Sequence, residues 1–406
     1  MGILSSPLSC HSDLKKSQSN HLHSDSSIYL SSQPSLPSVP SLTLQHDRQP
    51  QTAHQRCVST LKGHSSAVFS LTLAGKFIYS GSSDKDIRAW PRDPSLIQNS
   101  TPNTVAAGHG AVKSLVTLGG KLFSAHQDHK IRVWKIDPDQ KHCKCIATLP
   151  TAGDRFLRLL SPKNYVKVRR HKKCTWVHHV DAVSALAVSA DGSLLYSVSW
   201  DRTLKLWRTS DFRCLESVAN AHDDAINAVA VSVDGFVYTG SADKKIKVWK
   251  KSTNKHSLVT TLEKHISAVN ALALSLDGSV LYSGACDRSI VVWERVSCGV
   301  GYGHMVVTGA LRGHTKAILC LAVVADLVCS GSADGTVRVW RRGIESERRR
   351  YSCLAVFEGH KGPVKSLTAA VDNGGGSGSE STTSYLVYSG SLDCDIKAWQ
   401  ICVPFL

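Results

Sequence analysis

The chain has 406 residues, a formal net charge of +16 at pH 7 and thirteen cysteines. It contains no run of about 20 apolar residues and no apolar N-terminal signal core, which argues against a membrane-spanning helix and against secretion. We therefore expect a protein of the cytoplasm or nucleus, where thiols stay reduced. A basic excess of this size attracts acidic protein segments, nucleic acid and acidic lipids alike, so charge alone does not choose the partner.

Residues 1–56 form a segment rich in serine, with five prolines and almost no aromatic side chains. Such a composition cannot bury enough apolar surface to order itself, so we predict a disordered tail that is a candidate for phosphorylation. Two other interpretations remain open. The first six residues match a myristoylation pattern, with Cys10 as a second anchor, although Pro7 is disfavoured there. A transit peptide would also be rich in serine, but no arginine precedes Arg48.

From residue 57 onward, one pattern recurs: an aspartate is followed six residues later by a tryptophan. The seven pairs are Asp84 and Trp90, Asp128 and Trp134, Asp201 and Trp207, Asp243 and Trp249, Asp287 and Trp293, Asp334 and Trp340, and Asp393 and Trp399. Apolar and polar residues alternate between the pairs, as in half-buried strands. Each unit is about 40 residues long, the length of a four-stranded propeller blade. We predict repeats at about 59–98, 103–144, 177–217, 220–259, 263–303, 313–350 and 359–400.

These recurring residues resemble the WD-repeat β-propeller family over residues 57–406. The resemblance implies an all-β fold in which His, a strand hydroxyl, Asp and Trp form a hydrogen-bonded tetrad in each blade. The histidines at the family's position are His64, His109, His179, His222, His265, His314 and His360. The hydroxyl residues are Ser80, Ser124, Ser197, Thr239, Ser283, Ser330 and Ser389. A buried indole N–H and imidazole need such partners.

Two departures from the family pattern stand out. The usual Asp after the Trp is absent in every repeat. The second repeat has one residue fewer after His109 and carries an extra His126, so we predict that this blade is the least regular.

The two ends of the repeat region predict ring closure. Only seven residues follow Trp399, too few for a fourth strand, whereas residues 57–61 form a strand pattern with no blade of their own. Pairing the two would complete the last blade and cover its edge. We therefore predict a closed seven-bladed ring and a monomeric propeller.

An insertion at 151–177 separates the second and third repeats and carries eight Lys or Arg residues against one acidic residue, Asp154. Loops that are longer than the repeat requires usually carry the binding residues that distinguish one propeller from another. Six of the basic residues are our candidates for partner binding: Lys163, Lys167, Arg169, Arg170, Lys172 and Lys173. Two alternatives remain, a structural cover, which apolar residues such as Phe156 and Trp176 would favour, and a nuclear-import signal. Residues 164–171 and 181–184 also resemble plant WD-repeat proteins of the JINGUBANG type, which implies a non-enzymatic regulatory protein.

A set of Ser, His and Asp residues that recurs from repeat to repeat indicates a structural role and not catalysis. Ser330, His314 and Asp334 could be drawn as a triad, but so could the equivalent residues of other repeats. Cysteines such as Cys57, Cys145, Cys214 and Cys353 occupy strand positions that we predict to be buried. Residues 142–145 contain His and two Cys but lack a second ligand pair. We predict no catalytic residue, no metal and no cofactor.

We therefore predict a regulatory scaffold for protein–protein interactions, with partners that carry acidic segments. Nucleic-acid binding and acidic-lipid binding through the insertion are the alternatives. The sequence shows neither the aromatic stacking platforms nor the reading helix of nucleic-acid binders, and Arg169 and Arg170 lack the Phe-Arg-Arg-Gly motif of phosphoinositide-binding propellers. A ubiquitin-ligase substrate receptor is a further alternative. It is disfavoured because no blade-end Trp is followed by the Asp of a Trp-Asp-x-Arg motif.

Overall fold

The computed structural model describes residues 39–43, 54–93, 96, 103–137, 142–159, 165–169, 172–252, 255–296, 303–343, 350–372 and 382–404. All of them belong to one compact unit, 36–406. They form seven four-stranded antiparallel sheets, one two-stranded hairpin and a helix. No helix within these ranges is long and apolar enough to cross a membrane.

The first four sheets follow one another along the chain, and in each the innermost strand comes first. Sheet 1 contains β2 Val68–Ala74, β3 Phe77–Ser82, β4 Asp86–Pro91 and β5 Asn103–Ala107. Sheet 2 contains β6 Val112–Leu118, β7 Lys121–His126, β8 Ile131–Ile136 and β9 Cys143–Leu149. Sheet 3 contains β12 Val183–Val188, β13 Leu194–Ser199, β14 Leu204–Arg208 and β15 Cys214–Val218. Sheet 4 contains β16 Ile226–Val231, β17 Phe236–Ser241, β18 Lys245–Ser252 and β19 Lys255–Glu263.

The remaining sheets repeat this order, except that the last one takes its outer strand from the start of the chain. Sheet 5 contains β20 Val269–Leu274, β21 Val280–Ala285, β22 Ile290–Val296 and β23 His304–Leu311. Sheet 6 contains β24 Ile318–Val324, β25 Leu327–Ser332, β26 Val337–Arg342 and β27 Tyr351–Phe357. Sheet 7 contains β28 Val364–Val371, β29 Thr382–Ser391, β30 Ile396–Pro404 and β1 His54–Leu61.

The innermost strands of successive sheets contact one another in order, and β28 contacts β2, so the sheets are the blades of a closed ring. The predicted seven-bladed propeller is confirmed. Its cores lie between neighbouring blades, where strand residues of one sheet pack on the next. Gly284 illustrates how close this packing is, since a Cβ there would lie 2.4 Å from Cγ2 of Ile318 in the next blade.

The ring closes as the two ends of the repeat region predict. Strand β1 pairs antiparallel with β30, with Cys57 opposite Trp399. Two side-chain hydrogen bonds join the strands: Arg56 Nε donates to Gln400 Oε1 at 2.8 Å, and Lys397 Nζ donates to Thr60 Oγ1 at 2.9 Å. The outer strand of the last blade is therefore supplied by the first strand of the chain.

The N-terminal region differs from the prediction at residues 39–43, which are ordered against the propeller. Val39 is buried in an apolar cluster of the fourth and fifth blades, and Ser41 and Thr43 form bridges to the fifth and sixth blades. Strand β1 also begins at His54, three residues before the predicted start of the propeller. Residues 1–38 and 44–53, and with them the lipidation and transit-peptide interpretations, lie outside the described residues.

Of the four cysteines predicted to be buried, Cys214 is buried and Cys353 is partly buried, but Cys57 and Cys145 are exposed. Cys320 and Cys329, on strands β24 and β25 of the sixth blade, are also buried. Burial raises the pKa of the Cys320 and Cys329 thiols to about 12, which keeps them protonated and unreactive. Ten cysteines of the described ranges have free thiols, and no group of three or more potential metal ligands occurs among the described residues.

Candidate protein-interaction surface

In six blades the structure brings together the four side chains of the tetrad. The imidazole Nε2 lies 2.7–2.8 Å from the strand hydroxyl, and the indole N–H donates to the same oxygen at 2.8–2.9 Å. The imidazole Nδ1 lies 2.8–3.1 Å from the aspartate. The aspartate also accepts a backbone N–H next to the histidine, for example from Thr315 to Asp334. Each tetrad thus ties the loop that enters the blade to the turn between its second and third strands.

The second blade differs from the prediction. His109 is exposed, and His126 takes the place of the imidazole: its Nε2 lies 2.7 Å from Ser124 Oγ, which also accepts the Trp134 indole N–H at 2.7 Å. His126 can do this because it lies two residues after Ser124 on strand β7, so both side chains share one face. Asp128 is left without a tetrad histidine and pairs with Arg132 at 3.1 Å.

Burial and hydrogen bonding set the charges of the tetrads. Burial lowers the pKa of His64, His179 and His360, although each aspartate partner opposes this shift. Burial alone would raise the pKa of Asp243, but hydrogen bonds from His222 and from backbone N–H groups outweigh it and bring that pKa to about 2. The strand hydroxyls that join the histidines and tryptophans are fully buried, so no substrate reaches them and the tetrads act as struts.

Burial lowers the pKa of His126 to about 4, which predicts a dependence of stability on pH. The unfolded chain takes up a proton at this residue near pH 6.5 and the folded chain does not, so acid favours unfolding. We expect His126 to account for a loss of about 2 kcal/mol in the free energy of unfolding between pH 7 and pH 5. Urea unfolding at both pH values should therefore show a smaller loss for His126→Gln than for wild type. His109→Gln is the control, because an exposed residue should leave the wild-type loss unchanged; equal losses in all three proteins would contradict the assignment.

The insertion joins the outer strand β9 of the second blade to the inner strand β12 of the third, and it leads into His179 of a tetrad. The same kind of connection carries the tetrad histidines of other blades, so both ends of the insertion join the propeller at the face on which those histidines lie. We call this the top face. The opposite face carries the turns between the first and second and between the third and fourth strands of each blade.

Both ends of the insertion are fixed to the third blade. Near its start, helix α1 Ala152–Leu159 buries Asp154, and Asp154 Oδ2 accepts the Cys214 backbone N–H at 3.0 Å. Near its end, the buried Lys205 Nζ donates to the Trp176 carbonyl at 2.5 Å and to Ser217 Oγ at 2.6 Å. The sequence did not reveal these anchors, although the only acidic residue in a basic stretch was a signal for the first of them.

Between the anchors, the candidate basic residues lie mainly on a hairpin. Strands β10 Tyr165–Arg169 and β11 Lys172–Thr175 pair antiparallel, which places Lys167 opposite Lys173 and Arg169 opposite Lys172. The structure therefore brings four of the six candidates together on two adjacent strands. Lys163 and Arg170 lie outside the described residues.

An exposed aromatic residue accompanies these cations. Phe156 on α1 is 69% exposed, although the sequence suggested that it packs onto the propeller, whereas Trp176 does pack on the apolar cluster of the second and third blades. Arg155, beside Phe156, is exposed as well. The insertion thus combines a buried acidic anchor with an exposed aromatic side chain and a basic hairpin.

A second basic stretch, residues 341–350, starts at the end of β26 on the opposite face. Its first two arginines already have partners. Arg341 pairs with Asp326 and donates to the Pro404 carbonyl at 2.7 Å, and Arg342 pairs with Glu294 at 2.9 Å. Arg341 and Arg342 are thus already bound to other residues of the propeller. The second basic stretch is therefore a weaker candidate for binding a partner than the insertion.

Comparison with known protein families agrees with the repeats. A profile described as WD domain, G-beta repeat matches residues 55–91, 171–208, 213–250, 256–294, 305–341 and 351–400, together more than half of the chain. The chain belongs to the WD40 repeat family. The six matches leave out the second blade, where His126 replaces the usual histidine of a WD40 repeat.

Similar curated proteins share only short stretches with this WD40 chain. Pre-mRNA-processing factor 19 of Oryza sativa subsp. japonica is 32% identical over 91 residues, which cover 22% of this chain and 15% of that protein. Transducin beta-like protein 3 of Bos taurus is 34% identical over 98 residues, which cover 23% of this chain and 11% of that protein. Elongator complex protein 2 of Dictyostelium discoideum is 36% identical over 67 residues, which cover 15% of this chain and 7% of that protein. The chain spans 7–15% of the length of these relatives, so their likeness to it concerns the repeats.

Proposed function

We propose that this WD40 chain is a non-catalytic regulatory scaffold that binds acidic segments of protein partners on its top face, through the insertion at 151–177. The observation that carries the proposal is the fixed basic hairpin: an insertion anchored at both ends to the third blade holds four cationic residues on two adjacent strands. A surface that is already ordered loses little conformational entropy when a partner binds.

The arrangement of charge supports an acidic protein partner. Asp154, the only acidic residue of the insertion, is 2% exposed and accepts the Cys214 N–H, so its carboxylate is not presented to a partner, whereas the sequence of the insertion contains eight basic residues. Arginine and aromatic side chains dominate binding energy at protein interfaces. The exposed Phe156 beside Arg155 supplies such a pair next to the hairpin.

The relatives agree with a role in assemblies, since the Dictyostelium protein is named as a component of the Elongator complex. We propose that this chain works in the cytoplasm or the nucleus, as a monomeric propeller of the regulatory kind that plant JINGUBANG-type proteins represent. The tetrads, whose hydroxyls are buried, keep the top face rigid and take no part in chemistry.

Charge reversal in the insertion tests this proposal. Changing Arg169, Arg170, Lys172 and Lys173 to Glu should lower the recovery of specific partners from native extracts by about tenfold or more, which corresponds to about 1.4 kcal/mol of binding free energy. The measurement is quantitative mass spectrometry of co-purifying proteins. The loss is expected because acidic segments would then meet like charge.

The matched control reverses four exposed lysines at or next to the turns of the opposite face, Lys76, Lys144, Lys251 and Lys255, which makes the same change in net charge. This variant should retain the wild-type set of partners. If both variants lose the same proteins, net charge and not the insertion governs binding. An unchanged set in the insertion variant would make the insertion a structural cover.

The net charge of +16 supports a second candidate, direct binding of nucleic acid. A basic surface that neutralises phosphates releases counterions, so affinity falls steeply with salt. Fluorescence anisotropy with labelled 20-nucleotide RNA and DNA at 50 and 200 mM salt tests it. A loss of about 1,000-fold between the two salt concentrations, abolished in the insertion variant, would favour this candidate.

A further inference from the structure

Residues 39–43 occupy a groove between the outer strands of the fifth and sixth blades, β23 and β27. The Leu42 N–H donates to the Ala310 carbonyl at 2.9 Å, and the Ala310 N–H donates to the Pro40 carbonyl at 2.9 Å. The Tyr351 N–H donates to the Leu42 carbonyl at 2.9 Å. The segment thus forms short parallel bridges to both blades at once. Pro40 is compatible with this pairing because it contributes only its carbonyl.

Two apolar side chains of the segment enter the propeller. Val39 is buried in the cluster that contains Met305 and Ala310, and Leu42 packs against the cluster between the fifth and sixth blades. Gly309 makes room for Leu42, since a Cβ at this position would lie 2.4 Å from the Leu42 Cγ. The groove therefore contains a pocket for a leucine side chain, whose floor is a glycine of β23.

Arg312 holds both ends of the segment. Its Nη2 donates to the Val39 carbonyl at 3.0 Å, and its backbone N–H donates to Thr43 Oγ1 at 2.9 Å. The Thr43 hydroxyl donates in turn to the Arg312 carbonyl at 3.3 Å. The groove therefore contacts a threonine hydroxyl, a leucine side chain and the peptide backbone between them.

We propose that this groove is a peptide-binding site, occupied in cis by residues 39–43, that recognises extended segments of the pattern Val-Pro-x-Leu-Thr. Backbone pairing supplies affinity and the two side-chain pockets supply selectivity, as in other cases of strand addition to a sheet edge. Ten residues join the segment to β1, so the internal ligand is present at a high effective concentration and excludes other peptides while it stays in place. The site lies on the rim of the propeller and does not depend on the insertion.

The test uses the full chain and a fluorescent peptide with the sequence of residues 36–46, measured by fluorescence anisotropy. Leu42→Asp in the protein should displace the internal segment and increase affinity for the peptide at least about tenfold over wild type, because the cis competitor is lost. Ser41→Asp is the matched control, since the Ser41 side chain is exposed; this protein should bind the peptide as weakly as wild type. A second protein that combines Leu42→Asp with Gly309→Leu should not bind it, because the pocket is filled.

Thermal unfolding shows whether each variant is folded. If Leu42→Asp does not fold, Thr43→Val, which removes only the hydroxyl contacts with Arg312, takes its place and should also increase peptide affinity. A folded Leu42→Asp protein, or failing it a folded Thr43→Val protein, that binds the peptide no better than wild type would overturn the proposal. So would equal binding of a peptide that carries Asp in place of Leu42. None of these results bears on the top-face proposal, which depends on other residues.

Discussion

Replacing Trp340 with alanine should lower the free energy of unfolding by about 3–5 kcal/mol, as large-to-small changes of buried aromatic residues do. Trp340 is 1% exposed and packs in the cluster between the fifth and sixth blades. Its indole N–H also donates to Ser330 Oγ at 2.9 Å, so the change removes a tetrad hydrogen bond as well as apolar contacts. Urea unfolding followed by tryptophan fluorescence and circular dichroism measures the effect.

Trp340→Phe separates the two contributions. Phenylalanine keeps most of the ring volume but cannot donate to Ser330, so we expect a smaller loss of about 1–3 kcal/mol. A Trp340→Ala protein within about 0.5 kcal/mol of wild type would mean that this tetrad does not stabilise its blade.

The second large effect concerns closure of the ring. Leu61 lies at the end of β1, is 4% exposed, and packs with Ile396 and Trp90. Leu61→Asp places an unpaired carboxylate among these side chains and should cost about 3 kcal/mol or more. Urea unfolding measures the loss, and hydrogen exchange should show faster exchange in β30, the strand that β1 covers.

Leu276→Asp is the control for this prediction, because Leu276 is 74% exposed. It should change the free energy of unfolding by no more than about 0.5 kcal/mol. Wild-type stability and wild-type exchange of β30 in the Leu61→Asp protein would show that β1 is dispensable for the ring.

The blades were predictable because they repeat. Seven Asp–Trp spacings and strand patterns of period two indicate a propeller, and the strand pattern at residues 57–61, which has no blade of its own, indicates the strand that closes it. One histidine was misplaced for a physical reason. The spacing predicted that His109, in the loop, would bond to Ser124. Instead His126, which lies on the same face of strand β7 as Ser124, makes this hydrogen bond. Spacing along the chain does not reveal which imidazole is nearer.

Contacts between distant parts of the chain were not predictable in the same way. Composition suggested that residues 39–43 would stay unfolded, yet their backbone pairs with Ala310 and Tyr351, and backbone pairing does not depend on composition. The helix that buries Asp154 likewise depends on a partner, the Cys214 N–H, 60 residues away. Both features depend on residues far along the chain that the folded propeller brings close to them.

Pairing of β1 with β30 sets an order of events during synthesis. Arg56 and Gln400 are 344 positions apart, so at about 5–20 residues per second the ribosome needs about 20–70 s to make the partner of a strand that it has already released. During that interval the nascent chain is an open arc with unpaired strand edges at both ends, the kind of edge on which other chains add strands. Because six blades can form before the seventh is complete, we expect chaperones to be needed mainly until β30 has been made and pairs with β1.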